Sequence, residues 1–562
     1  MMTSATKQKP SQQLTGADIV VKTLEAHKVK WVFGIPGAKI DKVFDAMDGS
    51  SIETIVCRHE QNAAFIAGAI GRMTGKAGVT LVTSGPGVSN TVTGLATANT
   101  EGDPMLVLGG SVAVADRLKL THQSMDAVSL CKPVTKFSAE VDSAAAISEV
   151  MANAFRAAEN DRPGAAFVSL PKDIMTNQAD CQVIHPSGHL CAGPANEEAV
   201  VEAANLINRA KRPVVLLGLL ASKPENAQSV REFIERGHFP VVGTYQASGS
   251  VSLGLFGNFG GRVGLLNNQP ADKLLEAADL VVTIGFDAVE YDPCIWNNGN
   301  QRPLVHIDVL RADIDNSYHP TVELIGSIAA TLKTLTPQLR RSSLDSESKN
   351  ILDEIANERN HLSASAENLN GHPVHPLKLV SELQKILTSD MTVCSDMGSF
   401  HIWLARHLYS FRARQLLISN GQQTLGVALP WAIAATLVRP SEKVLSISGD
   451  GGFLFSGMEL ETAVRLGSHL VQMIWIDGSY DMVAVQERQK YGRASGIKFG
   501  PVDPVKYAEA FGARGFMIRS ADEIGSILQQ AFEISGPVLI GVHVDYSDNY
   551  KLFQQVKEKV VQ

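Results

Sequence analysis

Apolar positions along the chain follow two alternating patterns, and the alternation predicts the architecture. "GADIVVKTLEAHKV" (16–29) spaces its apolar side chains at helical intervals and reads as an amphipathic helix. "WVFGIPG" is a short apolar run that ends in turn residues. "QNAAFIAGAIGRMTG" (61–75) is a helix of small residues, and "GVTLVTSGPG" (78–87) is a strand entering a Gly-Pro turn. "PMLVLGGS" and "GAAFVSLPKD" repeat the pattern. Strands alternating with helices predict a parallel sheet covered on both faces. The pattern breaks at "NQADCQVIHPSGHLCAGPANEE" (177–198), rich in Pro, Gly and polar residues, which is the expected linker. It resumes with "RPVVLLGLL", "FPVVGTYQ", "ADLVVTIGF" and "PLVHIDV". A second break runs from the charged "RRSSLDSESKN" (340–350) through "SAENLNGHPVHP" (365–376). The last third opens on the helix "LKLVSELQKIL" and continues with strands "MTVCSD", "RQLLISN", "KVLSISGD", "LVQMIWID" and "VLIGVHVD". The expected fold is α/β with three domains, each a mostly parallel sheet flanked by helices, over 12–180, 195–340 and 370–550.

Length agrees with this division, because one core rarely grows beyond about 250–300 residues and the chain has 562. Its net charge is −8, with no cluster of Lys and Arg, so nucleic acid is not an expected partner. Six cysteines (57, 131, 181, 191, 294 and 394) are scattered without a C-x-x-C pair. Reduced thiols in a cytoplasmic setting are therefore expected. The polar start "MMTSATKQKPSQQLT" lacks the apolar segment of a signal peptide, and no run of 18 apolar residues predicts a membrane span.

The chemistry concentrates in "GDGGFLFSGMELETAVRLGSHLVQMIWIDGSY" (449–480). Asp450 follows one apolar run and Asp477 the next, with a helical segment between them. In a β-α-β unit both strands point the same way, so both carboxylates fall on the carboxyl edge of the sheet, where such sheets bind ligands. Gly449, Gly451 and Gly452 free backbone N–H groups for phosphate. Two carboxylates with backbone oxygens suit a hard cation, most simply Mg²⁺. A helix-capping Asp450 and an Asp477 in a turn account for the pattern equally well. Far upstream, "RHEQNAAF" places Glu60 before the small-residue helix. Taken alone, Glu60 is better read as an acid in a helix's first turn, favoured by the dipole.

The two segments together decide between these readings. Gly-Asp-Gly, a helix, a second strand and a polar pair resemble the thiamine diphosphate motif, which ends in Asn-Asn. The "RHEQNAAF" stretch resembles the pyrimidine-binding domain of the same enzymes. The resemblance implies a thiamine diphosphate-binding fold in the first and last domains. It makes Glu60 the carboxylate that activates the cofactor, and Asp450, Asp477 and the Ser479 carbonyl the metal ligands. Ile476 and Asp477 stand where Asn-Asn is usual; aspartate keeps an oxygen ligand and adds a negative charge.

"FGIPGAKI", "RHEQNAAF", "TSGPGVSN", "ANTEGDPML", "THQSMD", "SNGQQTLGVALPWAIA" and "GDGGF" occur in the order found in acetolactate synthases, with closest similarity to the catabolic, FAD-independent type. The resemblance implies condensation of two pyruvates to 2-acetolactate and CO₂, toward acetoin and butanediol. It implies Gln123 and Lys136 near the substrate, and the Gln423 backbone and Leu425 at the pyrimidine and bend of the cofactor. Gly398, Ser399 and His401, with Asp450, Gly451 and Gly452, fall on its diphosphate side, and Met482 lines the pocket. For Leu425 and Met482, pattern alone favours ordinary core packing, and His401 could equally be a surface residue. Flavin-containing relatives carry Arg where this chain has Asp287, and no G-x-G-x-x-G follows a strand, so no FAD is expected. Gln486 occupies the place of a Trp that favours a larger acceptor, which points to pyruvate as acceptor. The family's architecture implies self-association, at least a dimer and commonly a tetramer. A ketoacid decarboxylase would carry adjacent histidines, and no His-His pair occurs. A pyruvate oxidase would need flavin, and a non-catalytic homologue would have lost Glu60 or Asp450.

Overall fold

The apolar runs form the inner strands of three six-stranded sheets in a computed structural model of the chain, which describes residues 13–186, 192–266, 268–340 and 343–553. The polar start through residue 12 and Cys191 lie outside the described residues; the other five cysteines are free thiols. The chain divides into two compact units, residues 1–189 and 190–562. The first holds one six-stranded sheet and a two-stranded antiparallel ladder of Leu14–Thr15 with Gln178–Ala179, and the second holds two six-stranded sheets.

The first sheet comprises β1 (Trp31–Ile35), β2 (Glu53–Val56), β3 (Gly78–Val82), β4 (Met105–Ser111), β5 (Phe137–Glu140) and β6 (Ala165–Pro171), in the order β2-β1-β3-β4-β6-β5. The middle sheet comprises β7 (Pro213–Leu217), β8 (Val241–Thr244), β9 (Phe259–Val263), β10 (Leu280–Ile284), β11 (Leu304–Asp308) and β12 (Val322–Ile325), ordered β9-β8-β7-β10-β11-β12. The third comprises β13 (Met391–Ser395), β14 (Leu416–Ile418), β15 (Lys443–Gly449), β16 (Leu470–Ile476), β17 (Arg514–Ile518) and β18 (Val538–His543), ordered β14-β13-β15-β16-β18-β17. The pairings in these three sheets are all parallel. The first and third sheets thus share one strand order, while the middle sheet has another. Inner strands such as β4 are buried along their whole length, as a parallel strand covered on both faces must be.

Five strands had no clear run in the sequence: β2, β5, β9, β12 and β17. Each lies at a sheet edge. The second polar break also holds structure, because the helix α3 (Ser346–Glu367) spans 22 residues of it. Asp345 caps it by accepting the N–H groups of Glu347 and Ser348, and it buries Leu352 and Ile355. A single narrow apolar contact suffices for a helix rich in good helix formers. No helix among the described residues is long and apolar enough to cross a membrane.

In the first unit, the helix α1 (Gly16–Ala26) begins with a Thr15–Asp18 capping box. The helix α2 (Glu60–Thr74) is fixed from inside by a buried ion triad. Arg72 Nε donates to Asp103 at 2.8 Å and Nη2 to Glu101 at 3.0 Å, with all three side chains buried. Burial opposes the guanidinium charge, but Asp103 and Glu101 outweigh it and hold its pKa above the ordinary value. Arg72→Ala strands two buried carboxylates and is expected to cost about 3–5 kcal/mol, measured as the loss of unfolding free energy in denaturant.

Candidate active site

In the first unit, β2 delivers the chain to the start of α2. His59 caps this helix, its Nδ1 accepting the Gln61 N–H at 3.1 Å, and Glu60 occupies the first turn, half-buried. Asn90 Nδ2 donates to Glu60 Oε2 at 2.9 Å. Asn90 closes the segment that follows β3 and its Gly-Pro turn. From the same turn, Ser84 Oγ donates to Gln123 Oε1 at 3.2 Å, with Gln123 held in the left-handed region (φ 61°). Glu60 and Gln123 are thus both tied to the segment leaving the carboxyl end of β3.

Lys136 does not join them. It precedes β5 at the amino edge of the sheet, and its ammonium donates to the carbonyls of Asn160 and Arg162 at 2.8 and 2.7 Å. Burial lowers its pKa, with Asp161 opposing. The substrate-side placement expected for Lys136 is corrected to a lock on the turn before β6.

In the second unit, β15 and β16 are adjacent, with Gly449 opposite Trp475, so Asp450 and Asp477 emerge side by side. The connection between them contains two short α-helices, Asp450–Phe453 and Leu460–Arg465. Asp450 Oδ2 accepts the Gly478 N–H at 2.8 Å, and Oδ1 the Gly451 N–H at 3.0 Å. Asp477 Oδ2 accepts from Ser479 Oγ at 2.6 Å. Burial raises both carboxyl pKa values. That of Asp477 is pushed up to about 7, with the Ser479 hydroxyl opposing and the charges of Asp450 and Asp481 adding. Two such carboxylates at one edge ask for a cation.

Beside them two buried glycines leave no room for a side chain. A Cβ on Gly451 would lie 2.8 Å from the Tyr480 ring, and one on Gly452 3.0 Å from Asp396 Oδ2. Gly398 precedes the helix α4 (Ser399–His407), and Ser399 Oγ donates to Asp481 Oδ2 at 2.6 Å. Gln423 has a left-handed backbone (φ 49°), and Leu425 is half-buried near Gly452. Met482, on helix α5 (Asp481–Tyr491), packs against the core of the third sheet. Gln486, one turn on, is exposed on the same helical face.

His401 departs from expectation. Its ring is fully buried, edge-on to Tyr245 with centroids 5.5 Å apart, and neither nitrogen has a hydrogen-bond partner. It is therefore a core residue and not part of the edge.

Two aspartates were missed. Asp396, buried, accepts the N–H groups of Met397 and Gly426, each at 2.9 Å, and so ties the segment after β13 to the Gln423–Gly426 turn. Burial pushes its pKa up to about 7 against those N–H groups. Asp481 accepts from both Ser399 and Asn549. Asp396 carries the same signature as Asp450 and Asp477, an aspartate ending an apolar run, in "MTVCSD".

Three family models match the chain: the thiamine pyrophosphate enzyme N-terminal TPP binding domain over 14–130, the central domain over 200–335 and the C-terminal TPP binding domain over 396–542. A catabolic acetolactate synthase of Raoultella terrigena is 52% identical over 96% of this chain and 97% of that protein. An acetolactate synthase of Bacillus subtilis is 48% identical over 98% and 97%. The chain belongs to the acetolactate synthase family of thiamine pyrophosphate enzymes. A probable acetolactate synthase large subunit of Methanococcus aeolicus is more distant, 30% identical over 95% of this chain and 92% of that protein. The family, the three-domain α/β fold and the enzyme class expected from the sequence are those found. Within this family, the two TPP binding domain models fall on the sheets that share a strand order, and both side-chain clusters lie on the carboxyl edges of those sheets.

His401 offers a test of its placement. Burial lowers its pKa from 6.5 to about 4. The neutral ring contributes stability above pH 6.5 that is lost as pH falls through about 4. His401→Phe is therefore expected to gain on the unmodified chain as pH drops from 6.5 to 4, read as thermal midpoints. Midpoints falling in parallel would place the ring in contact with solvent.

Proposed function

We propose that the chain condenses two molecules of pyruvate to 2-acetolactate and CO₂, using thiamine diphosphate and Mg²⁺ without FAD. What carries the reading is one arrangement: Glu60 anchored by Asn90 on one sheet edge, and the Asp450–Asp477 pair on the same edge of a second sheet with the same strand order.

The residues fit the group. Asp450, Asp477 and the Ser479 carbonyl would hold the cation. Among the described residues no cluster of three or more His, Cys, Asp or Glu forms a metal site. The two carboxylates suit Mg²⁺, which takes one or two carboxylates and completes its shell with phosphate oxygens and water. The backbone of Gly451 and Gly452, with Gly398 and Ser399, would face the diphosphate, the Gly451 N–H also holding Asp450 Oδ1. Bound thiamine diphosphate supplies the electron sink for the decarboxylated ketoacid. The backbone of Gln423 and the side chains of Leu425 and Met482 would set its orientation. Glu60 Oε2 already accepts from Asn90, which leaves Oε1 to hold and exchange a proton with the pyrimidine. Gln123 accepts from Ser84 through Oε1, which leaves its amide N–H groups for a ketoacid oxygen.

Pyruvate as acceptor rests on Gln486, a polar residue on the helical face of Met482. Independence from FAD rests on Asp287, whose carboxylate accepts the Val289 N–H at 2.9 Å, where flavin-containing relatives place arginine. Exposed apolar side chains rim both clusters: Leu118 and Leu120 on the segment bearing Gln123, and Leu454, Phe455, Tyr480 and Val483 beside the aspartates. Such rims support self-association; the resemblance to the family makes it at least a dimer and commonly a tetramer. The likeness to a catabolic enzyme supports a role toward acetoin and butanediol in the cytoplasm.

Product analysis after incubation with pyruvate, thiamine diphosphate and Mg²⁺, with and without FAD, tests the reading. Equal acetolactate in both is expected; acetaldehyde would make the chain a decarboxylase. Glu60→Gln should keep cofactor binding while turnover falls about 10²–10⁴-fold, and normal turnover would remove Glu60 from its role. Asp477→Ala should raise the Mg²⁺ concentration needed to retain the cofactor, and an unchanged requirement would sink the metal assignment.

A further inference from the structure

The strand order of the middle sheet reverses between β7 and β10. Sheets of this order hold the phosphates of dinucleotides at the carboxyl ends beside the reversal, on N–H groups of the first turn. Here that place is filled from within. The chain turns at Gly218 after β7 and at Gly285 after β10, and the two turns touch. A Cβ on Gly218 would lie 2.3 Å from the Gly285 carbonyl oxygen, and one on Gly285 2.7 Å from the Ala221 nitrogen.

Glu290, 1% exposed, reaches over this junction. Its carboxylate accepts the Leu219 N–H at 2.9 and 3.1 Å, the Asp287 N–H at 3.1 Å and the Thr244 hydroxyl at 2.6 Å. These donors come from the ends of β7, β10 and β8. They surround the carboxylate as donors in such a crevice surround a phosphate. The same residue's backbone carbonyl accepts from Asn420 Nδ2 at 2.9 Å. Asn420 leads into the turn that carries Gln423, Leu425 and Gly426.

We propose that Glu290 is an internal anion that stands in for a bound phosphate in the middle domain and, through its carbonyl, positions the Gln423–Gly426 turn of the cofactor site. The second half rests on the reading that this turn faces thiamine diphosphate. Glu290 touches no reacting atom and is a positioning residue. Alanine leaves its donors buried without an acceptor and frees the loop that holds Asn420. Glutamine keeps one acceptor oxygen and can donate to Thr244, so it should be milder.

The test uses the full chain, unmodified and as Glu290→Ala and Glu290→Gln. Thiamine diphosphate affinity is titrated with Mg²⁺ present, and hydrogen exchange at 218–221 and 419–427 is followed without cofactor. Glu290→Ala should bind the cofactor about 10–100-fold more weakly and exchange faster in both segments. Sodium formate, a carboxylate that fits the vacated place, should restore both in part. Unchanged affinity and exchange would overturn the proposal, as would stoichiometric binding of FAD to the unmodified chain. If Glu290→Ala does not fold, faster exchange at 419–427 in Glu290→Gln supports the proposal, and unchanged exchange overturns it. An unmodified chain that binds no thiamine diphosphate removes the functional reading itself, and with it the cofactor half of the proposal.

Discussion

Two carboxylates held at neighbouring strand ends are the constraint on which the third sheet's arrangement depends. Paired parallel strands sit about 4.8 Å apart, and β15 and β16 are in register to their last residues. Asp450 and Asp477 therefore cannot drift apart, and water cannot fully separate their charges. Everything nearby answers that charge. N–H groups of Gly451 and Gly478 turn toward Asp450, Ser479 donates to Asp477, and Asp481 is occupied by Ser399 and Asn549. Burial outweighs these donors, which is why the carboxyl pKa values rise; at Asp477 the charges of Asp450 and Asp481 add to it.

The first and third sheets apply one strand order to two tasks. In each, the carboxyl edge gathers the polar groups and the opposite edge is used for closure. Lys136 illustrates the second use, since its ammonium caps carbonyls at the amino edge. The middle sheet follows a different order, and its crevice is filled by Glu290, so it contributes connection where its neighbours contribute chemistry.

Inner strands were legible in the sequence because both faces are buried, which forces continuous apolar runs such as "MLVLGGS" and "LVQMIWI". Of the edge strands only β14, buried along its three residues, was legible. β2 and β5 are half-exposed and mix polar with apolar residues, and β9 carries two glycines. The long helix at 346–367 was hidden because it touches the core at few positions. Strand-end aspartates were readable by place, although Asp396 was passed over. Which way a helical side chain turns was not readable: His401 follows Ser399 by two residues, which rotates it from the edge into the core. Nor could the sequence show that Lys136 would meet carbonyls of a turn more than 20 residues away.

If the proposed cation assignment holds, the aspartate at 477 in place of the usual amide bears on ion selectivity. A site of two carboxylates and one backbone oxygen discriminates by hardness and not by identity. Soft ions that prefer thiolate or imidazole gain little there, while magnesium, manganese and calcium all find acceptable ligands. The added negative charge strengthens attraction for each of these without separating them. Which ion resides in such a pair is then governed by the abundance of each in the cell.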